Sequence, residues 1–77
     1  MKLSYDPRYN IAYIKLREKT TEVETIRVSD ELNVDISPDG KIYGIELLNA
    51  NEQLEFAKDH GLVLVNESTG KTVKLPI

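Results

Sequence analysis

Apolar and polar residues alternate along much of the chain, most clearly in the stretch LNVDISPDGKIYGIEL at residues 32–47. Strict alternation over a short run is typical of a β-strand that has one face buried and the other face in water. Two such runs flank a turn of Pro38, Asp39 and Gly40, where proline suits the first central position and glycine tolerates a positive φ. The stretch therefore predicts an antiparallel hairpin.

The apolar pattern also selects the register of this hairpin, because a shift of one residue would turn every side chain to the other face. A three-residue loop would place Val34 opposite Gly44 and mix the two faces. A four-residue loop, residues 38–41, keeps the apolar side chains together. The predicted pairs are Ile36 with Tyr43, Asp35 with Gly44, Val34 with Ile45, Asn33 with Glu46, and Leu32 with Leu47.

Three more segments alternate in the same way and lie at residues 2–5, 12–16 and 24–28. Asp6 and Pro7 predict a turn after the first of them, because Asp bonds its own backbone and Pro has no N–H. A three-residue loop at residues 29–31 would join the third to the hairpin. That loop pairs Val28 with Leu32 and Ile26 with Val34.

The pattern changes after Leu48, where residues 49–61 predict one short helix. Asn49 or Asn51 suits its N-cap, and Gly61 suits the position after its last turn. We expect its apolar stripe, Leu54, Phe56 and Ala57, to pack on Val34, Ile45 and Leu47.

The C-terminal residues resume the alternation. We expect Val63 and Val65 to pair with Val73 and Leu75 across a loop that contains Gly70. The predicted fold is therefore α+β: an antiparallel β-meander of about five strands packed on one short α-helix, with C-terminal extra strands or a hairpin. Residues 1–77 form a single small domain in this prediction. A chain of this size buries only about 60% of its unfolded surface, which leaves a thin stability margin.

Thirteen acidic against ten basic residues give a formal net charge of −3. Nucleic acid is therefore not an expected partner, because phosphate binders carry a basic surface. The sequence has no cysteine, no apolar run long enough to span a membrane and no signal-peptide h-region. We therefore expect a cytoplasmic protein without a membrane partner.

The segments SYDPRYNIAYIKL and VETIRVSDELNVDISPDGKIYGIELLNA resemble the domain-of-unknown-function family 2283 of bacteria and archaea. The resemblance runs from Leu3 to about Ala50. One departure is Ser37, which stands where an acid is frequent in the family. The matching positions are Tyr5, Asp6, Pro7, Tyr13, Ile14, Leu16, Glu24, Thr25, Val34, Asp35, Asp39, Gly40, Gly44, Ile45, Glu46 and Leu47.

This resemblance implies a small α+β fold and no established activity. It also implies an antitoxin or partner role for some members, which lie beside small toxin-like proteins. Among the shared positions, Gly44 sits inside a strand, where glycine admits a large cross-strand neighbour or marks a bulge or a local twist. We favour the bulge or twist.

Carboxylates in the hairpin are the first candidates for chemistry. Asp35, Asp39 and Glu46 are the residues that a metal-dependent hydrolase subunit would use. The calcium-loop pattern is not satisfied, because residue 37 is Ser rather than an acid or Asn. We interpret these acids as part of a solvated sheet face with ordinary turn chemistry.

His60 is the single histidine, and its place near a helix C-terminus has a simple electrostatic explanation. The tripeptide GKT at residues 70–72 lacks the upstream glycine of a phosphate loop, since position 65 is Val. We therefore predict no catalytic residue, no metal site and no cofactor.

A second apolar surface is the main candidate for a function. Its residues point away from the predicted helix, and a small monomer rarely exposes a large apolar patch. The C-terminal strands, a second copy of the chain or another protein would cover it, unless these are scattered exposed residues of the ordinary kind. The candidate surface consists of Ile11, Tyr13, Val23, Thr25 and Ile42.

Together these observations predict a non-enzymatic interaction module, most simply a homodimer. The alternative is an antitoxin-like protein that masks a small basic toxin-like partner, because opposite charge favours such an encounter.

Overall fold

The computed structural model describes residues 1–18, 22–55 and 61–76. They confirm the predicted α+β fold: a five-stranded antiparallel sheet, one short helix and a C-terminal hairpin. In chain order the elements are β1 (Lys2–Asp6), β2 (Ile11–Lys15), β3 (Glu24–Ser29), β4 (Leu32–Ile36), β5 (Ile42–Leu48), α1 (Ala50–Leu54), β6 (Leu62–Asn66) and β7 (Lys71–Leu75).

The strand order of the sheet is β1-β2-β5-β4-β3, so the predicted meander is interrupted once. β3, β4 and β5 follow one another, but β2 pairs with β5 instead of β3. The apolar pattern accounts for this pairing, because it places Ala12 opposite Leu47 and Ile14 opposite Ile45. β5 is therefore the central strand, and β1 and β3 are the edges.

The central hairpin has the predicted register over most of its length. Four of the five predicted pairs are confirmed, from Leu32 with Leu47 to Asp35 with Gly44. The fifth is wrong, because a register shift after Asp35 brings Ile36 opposite Ile42. The shift lengthens the loop to residues 37–41.

Within that loop the predicted turn is confirmed. The Gly40 N–H donates to the Ser37 carbonyl at 2.9 Å, with Pro38 and Asp39 between them. Gly40 has a φ of 84°, the left-handed conformation that glycine adopts without steric cost.

The β3–β4 connection differs from its prediction in a similar way. Ile26 pairs with Val34 as expected, but Ser29 and not Val28 lies opposite Leu32. The register shifts between Arg27 and Ser29, so the chain carries a bulge there and the loop is shorter by one residue.

The turn between β1 and β2 follows the predicted chemistry. The backbone N–H of Arg8 donates to Asp6 Oδ1 at 2.9 Å, across Pro7. Asn10 closes the loop with a φ of 58°. Asparagine is among the few residues that tolerate this left-handed conformation.

The helix is shorter than predicted and ends at Leu54, followed by Glu55 in a left-handed conformation. It is anchored beside the start of β2: Asn10 accepts the Ala50 N–H at its carbonyl and the Asn51 N–H at its side chain. The rest of the predicted helix, residues 56–60 with Phe56, Ala57 and His60, lies outside the described residues. The predicted packing of those side chains stays a prediction.

The C-terminal hairpin β6–β7 is confirmed, with Gly70 in its loop. Its pairing differs by one residue from the expected one, since Leu62 lies opposite Leu75 and Leu64 opposite Val73. Because paired residues share a face, these four leucine and valine side chains form one apolar side of the hairpin.

The register gives the five-stranded sheet one apolar and one polar face. On the apolar face, one row crosses all five strands. It consists of Leu3, Ile14, Ile45, Val34 and Ile26. A parallel row on the polar face consists of Ser4, Tyr13, Glu46, Asn33 and Arg27.

The apolar face has little cover. Among the described residues, the only buried apolar ones are Ala12 and Ala50, and no large side chain is fully buried. Ile26, at the β3 edge, is 46% exposed. Over residues 1–18, 22–55 and 61–76, the apolar face of the sheet therefore lacks the fully buried large side chains of an ordinary core.

We predict that Gly40→Ala lowers the free energy of unfolding by about 1 kcal/mol, because alanine is strained at positive φ. Nothing lies within 4 Å of the added Cβ, so no clash contributes. Gly40→Asn should lower the free energy of unfolding by a smaller amount, since asparagine tolerates a positive φ. Urea titrations at one protein concentration measure both. An equal loss in the two variants would contradict the conformational explanation.

Candidate functional site

Tyr13 organises the polar face by lying across the central strand. Its ring passes over Gly44 of β5, where a Cβ would come within 2.8 Å of Tyr13 Cε1 and closer still to the hydroxyl end of the ring. The glycine therefore admits a large cross-strand neighbour, and this explains its place inside a strand. The expected bulge is also present beside this residue, because the register shifts between Asp35, which pairs with Gly44, and Ile36.

The hydroxyl of Tyr13 reaches Asp35 on the far side of β5. It donates to Asp35 Oδ2 at 2.6 Å, and Thr25 Oγ1 donates to Asp35 Oδ1 at 2.6 Å. Each oxygen of the carboxylate thus accepts one hydroxyl, and β2, β4 and β3 are linked across the polar face. Hydrogen bonds to a charged acceptor are stronger than neutral ones.

The same surroundings change the acidity of the phenol. Partial burial comes first, followed by the hydrogen bond to Asp35 and the negative charge of Asp35 and Glu46, and together they raise the pKa of Tyr13 well above its usual value. A phenolate at this position would lose its hydrogen bond and face a carboxylate. Tyr13 therefore serves as a donor and not as a base.

Glu46 is partnered separately, because Asn33 Nδ2 donates to Glu46 Oε1 at 2.9 Å. The two residues lie opposite each other on β4 and β5, as the sequence predicts. This pair and the link between Tyr13, Asp35 and Thr25 leave the middle of the polar face covered by internal hydrogen bonds. We call these five residues the polar network.

Asp39, the third carboxylate of the hydrolase alternative, lies in the loop after β4 and pairs with Arg17. Arg17 Nη1 is 2.8 and 2.7 Å from the two carboxylate oxygens. This guanidinium, and then the Lys41 N–H, lower the pKa of Asp39. Within the described ranges, no group of three or more His, Cys, Asp or Glu side chains has a metal-binding arrangement.

The predicted interaction surface is divided by this network. Tyr13 and Thr25 meet at Asp35, in the middle of the polar face. Ile11 lies at one end, opposite Leu48, whereas Ile42 lies at the other end of β5. Val23, just before β3, is 40% exposed. The five residues do not form one apolar patch, and their role as an interface stays a prediction.

Sequence reasoning missed a groove with exposed leucines, which lies on the apolar face. Beside β1 and β2, this face and the hairpin β6–β7 enclose an open groove of about 580 Å³. Leu3 and Ile14 line one wall, and Leu62, Leu64 and Leu75 line the other. The three leucines are 43%, 59% and 50% exposed. The sequence offered one signal: a short helix is too narrow to cover a five-stranded sheet.

The described part of the chain contains no helix with the length and apolarity needed to cross a membrane.

A family model described as "Protein of unknown function (DUF2283)" matches residues 2–51, which is more than half of the 77 residues. No curated protein and no solved structure matches the chain. The matched range contains the whole five-stranded sheet. Four members of the polar network, together with Gly44, are also positions that carry the resemblance described above. They are Tyr13, Thr25, Asp35 and Glu46.

We predict that Gly44→Ala lowers the free energy of unfolding by about 1–2 kcal/mol, because the new Cβ displaces the ring of Tyr13 and breaks its hydrogen bond to Asp35. In a Tyr13→Ala background the same substitution should leave the free energy of unfolding almost unchanged, since the ring is absent. Denaturant unfolding of the four proteins gives the coupling energy. Equal costs in both backgrounds would show that Gly44 serves the backbone alone.

A second prediction concerns alkaline pH. The raised pKa of Tyr13 contributes stability that is fully present below its unfolded value of 10.0 and is lost as the pH rises above that value. The unfolded chain releases this proton first, so the free energy of unfolding should fall more steeply above pH 10 in the wild type than in Tyr13→Phe. Denaturant titrations from neutral to alkaline pH measure the difference. Parallel curves would contradict the role of Tyr13 as a donor.

Proposed function

The chain belongs to the DUF2283 family of proteins of unknown function, and from that premise we propose that it is a non-enzymatic protein-interaction module that works as a homodimer. In this proposal, the apolar faces of two sheets pack against each other. The observation that carries the proposal is the apolar row from Leu3 to Ile26, in which four residues are only half-buried and Ile26 is 46% exposed.

The solvent-exposed surface area of the chain supports the proposal that a second copy covers part of it. The chain exposes 6072 Å². A compact monomer of 8.8 kDa is expected to expose about 4800 Å², so the excess is about 1300 Å². The radius of gyration agrees, because 14.0 Å exceeds the value of about 11.5 Å expected for a compact chain of this length.

This excess has the size of an interface. A stable complex buries about 800 Å² per partner, and permanent homodimers bury more. Stacked sheets pack about 10 Å apart through interdigitating side chains. A second apolar face would therefore complete the core that the single chain lacks.

The other surfaces of the sheet suit association less well. The edge strand β3 carries Glu24, Arg27 and a bulge, which are features that disfavour pairing with a further strand. On the polar face, Asp35 and Glu46 are charged and already hydrogen-bonded within the chain. Interface cores are depleted in charged residues, because their desolvation is costly.

The two alternatives have weaker support. The hydrolase alternative needs converging carboxylates, but Asp35, Asp39 and Glu46 have three separate sets of partners. The antitoxin-like alternative is supported by the net charge of −3 and by no described contact. The proposal therefore includes neither a catalytic or metal role nor a basic toxin-like partner.

We predict that Ile26→Lys weakens the dimer at least tenfold, because it places a charge in an apolar interface. The matched control is Ser4→Lys, which adds the same charge at an exposed residue of the other edge strand, opposite Tyr13 on the polar face. Light scattering over a dilution series measures both. Dissociation by Ser4→Lys alone would move the interface to the polar face.

A further inference from the structure

We infer that the groove between the hairpin β6–β7 and the sheet is the docking site for the β3 edge of the second copy, with Ile26 seated in it. The contact is reciprocal, so each protomer provides one groove and one inserted edge. This inference rests on the proposed homodimer and specifies its geometry.

The two sides of the apolar face differ in shape. At β1 and β2 the hairpin stands beside the sheet and forms the open groove of about 580 Å³. At the opposite side, β3 is an edge strand whose apolar residues are about half exposed. Ile26 is 46% exposed there, and Val28 in the bulge is 58% exposed. Each copy thus has the groove at one edge of its apolar face and the exposed apolar residues of β3 at the opposite edge.

A two-fold axis brings these complementary features together. If the axis lies between the two sheets and runs along β5, it places β1 of one copy over β3 of the other. Both contacts then form at once, and the assembly closes as a dimer. An axis across the strands would instead place β3 over β3 and leave the two grooves facing each other.

The hairpin gives an independent reason for this arrangement. A two-stranded hairpin has marginal stability by itself and needs a surface to pack on. Leu62, Leu64 and Leu75 remain about half exposed beside their own sheet. The hairpin is about 10 Å wide and the sheet about 24 Å wide, so the hairpin cannot cover the whole face. An inserted β3 edge covers these leucines and is itself covered.

Cysteine cross-linking tests the geometry, because the chain has no cysteine of its own. Leu3 and Ile26 lie at opposite ends of the apolar row, about four strand spacings or 19 Å apart. Stacked sheets lie about 10 Å apart, which is beyond the Cα separation of about 7 Å that a disulfide allows. The reagent is therefore a bismaleimide that spans about 10 Å, which cannot join the two positions within one sheet. An equal mixture of Leu3→Cys and Ile26→Cys should give a covalent dimer on a denaturing gel, and each variant alone should give none.

The matched control pair is Ser4→Cys with Arg27→Cys, the two ends of the parallel row on the polar face. This mixture should stay uncrosslinked. Circular dichroism checks that every variant is folded, and Leu62→Cys on the other wall replaces Leu3→Cys if the latter does not fold.

The outcomes separate the two proposals. If Ile26→Cys alone cross-links, the axis runs across the strands and the inference is wrong. If light scattering shows a dimer but the mixture gives no bismaleimide cross-link, the groove is not the docking site and the homodimer stands. If the wild-type chain is a monomer at high concentration, both proposals fail.

Discussion

The pairing of β5 with strands on both sides is the interaction on which the rest of the structure depends. It places Ile45 between Ile14 and Val34, and so extends one apolar row over all five strands. The same pairing places Gly44 beneath Tyr13 on the opposite face. Since side chains alternate along a strand, one register fixes both the apolar face, which we propose to pack against a second copy, and the polar face, whose side chains bond one another.

The polar network stabilises the single sheet where a conventional core is missing. Tyr13 spans β5 and bonds Asp35, which also accepts the hydroxyl of Thr25. These contacts connect β2 directly to β4 and β3 across β5, in addition to the backbone pairing and the apolar row through Ile45. The polar face thus links the strands through side chains of the same chain, and the proposed homodimer uses the opposite, apolar face.

Local sequence chemistry predicted much of this fold. Alternation located the strands, and the apolar pattern fixed the pairing of Val34 with Ile45, because slippage would bury polar side chains. Alternation did not predict the bulges near Ile36 and Val28, because each bulge adds one residue to a strand and leaves the apolar–polar pattern of the sequence unaltered. Pairing of β2 with β5 depends on contacts distant in sequence. The position of the Tyr13 ring over Gly44 depends on a side-chain orientation that alternation does not specify.

For the candidate site, the sequence pattern placed Tyr13 and Thr25 away from the apolar row but did not show that both donate hydrogen bonds to Asp35.

Sedimentation equilibrium of the unmodified chain tests the central claim most directly. We predict a mass of twice 8.8 kDa at micromolar and higher concentrations, together with a thermal unfolding midpoint that rises with protein concentration, because association stabilises the folded state by mass action. A mass of one chain at every concentration, with a midpoint independent of concentration, would contradict the account.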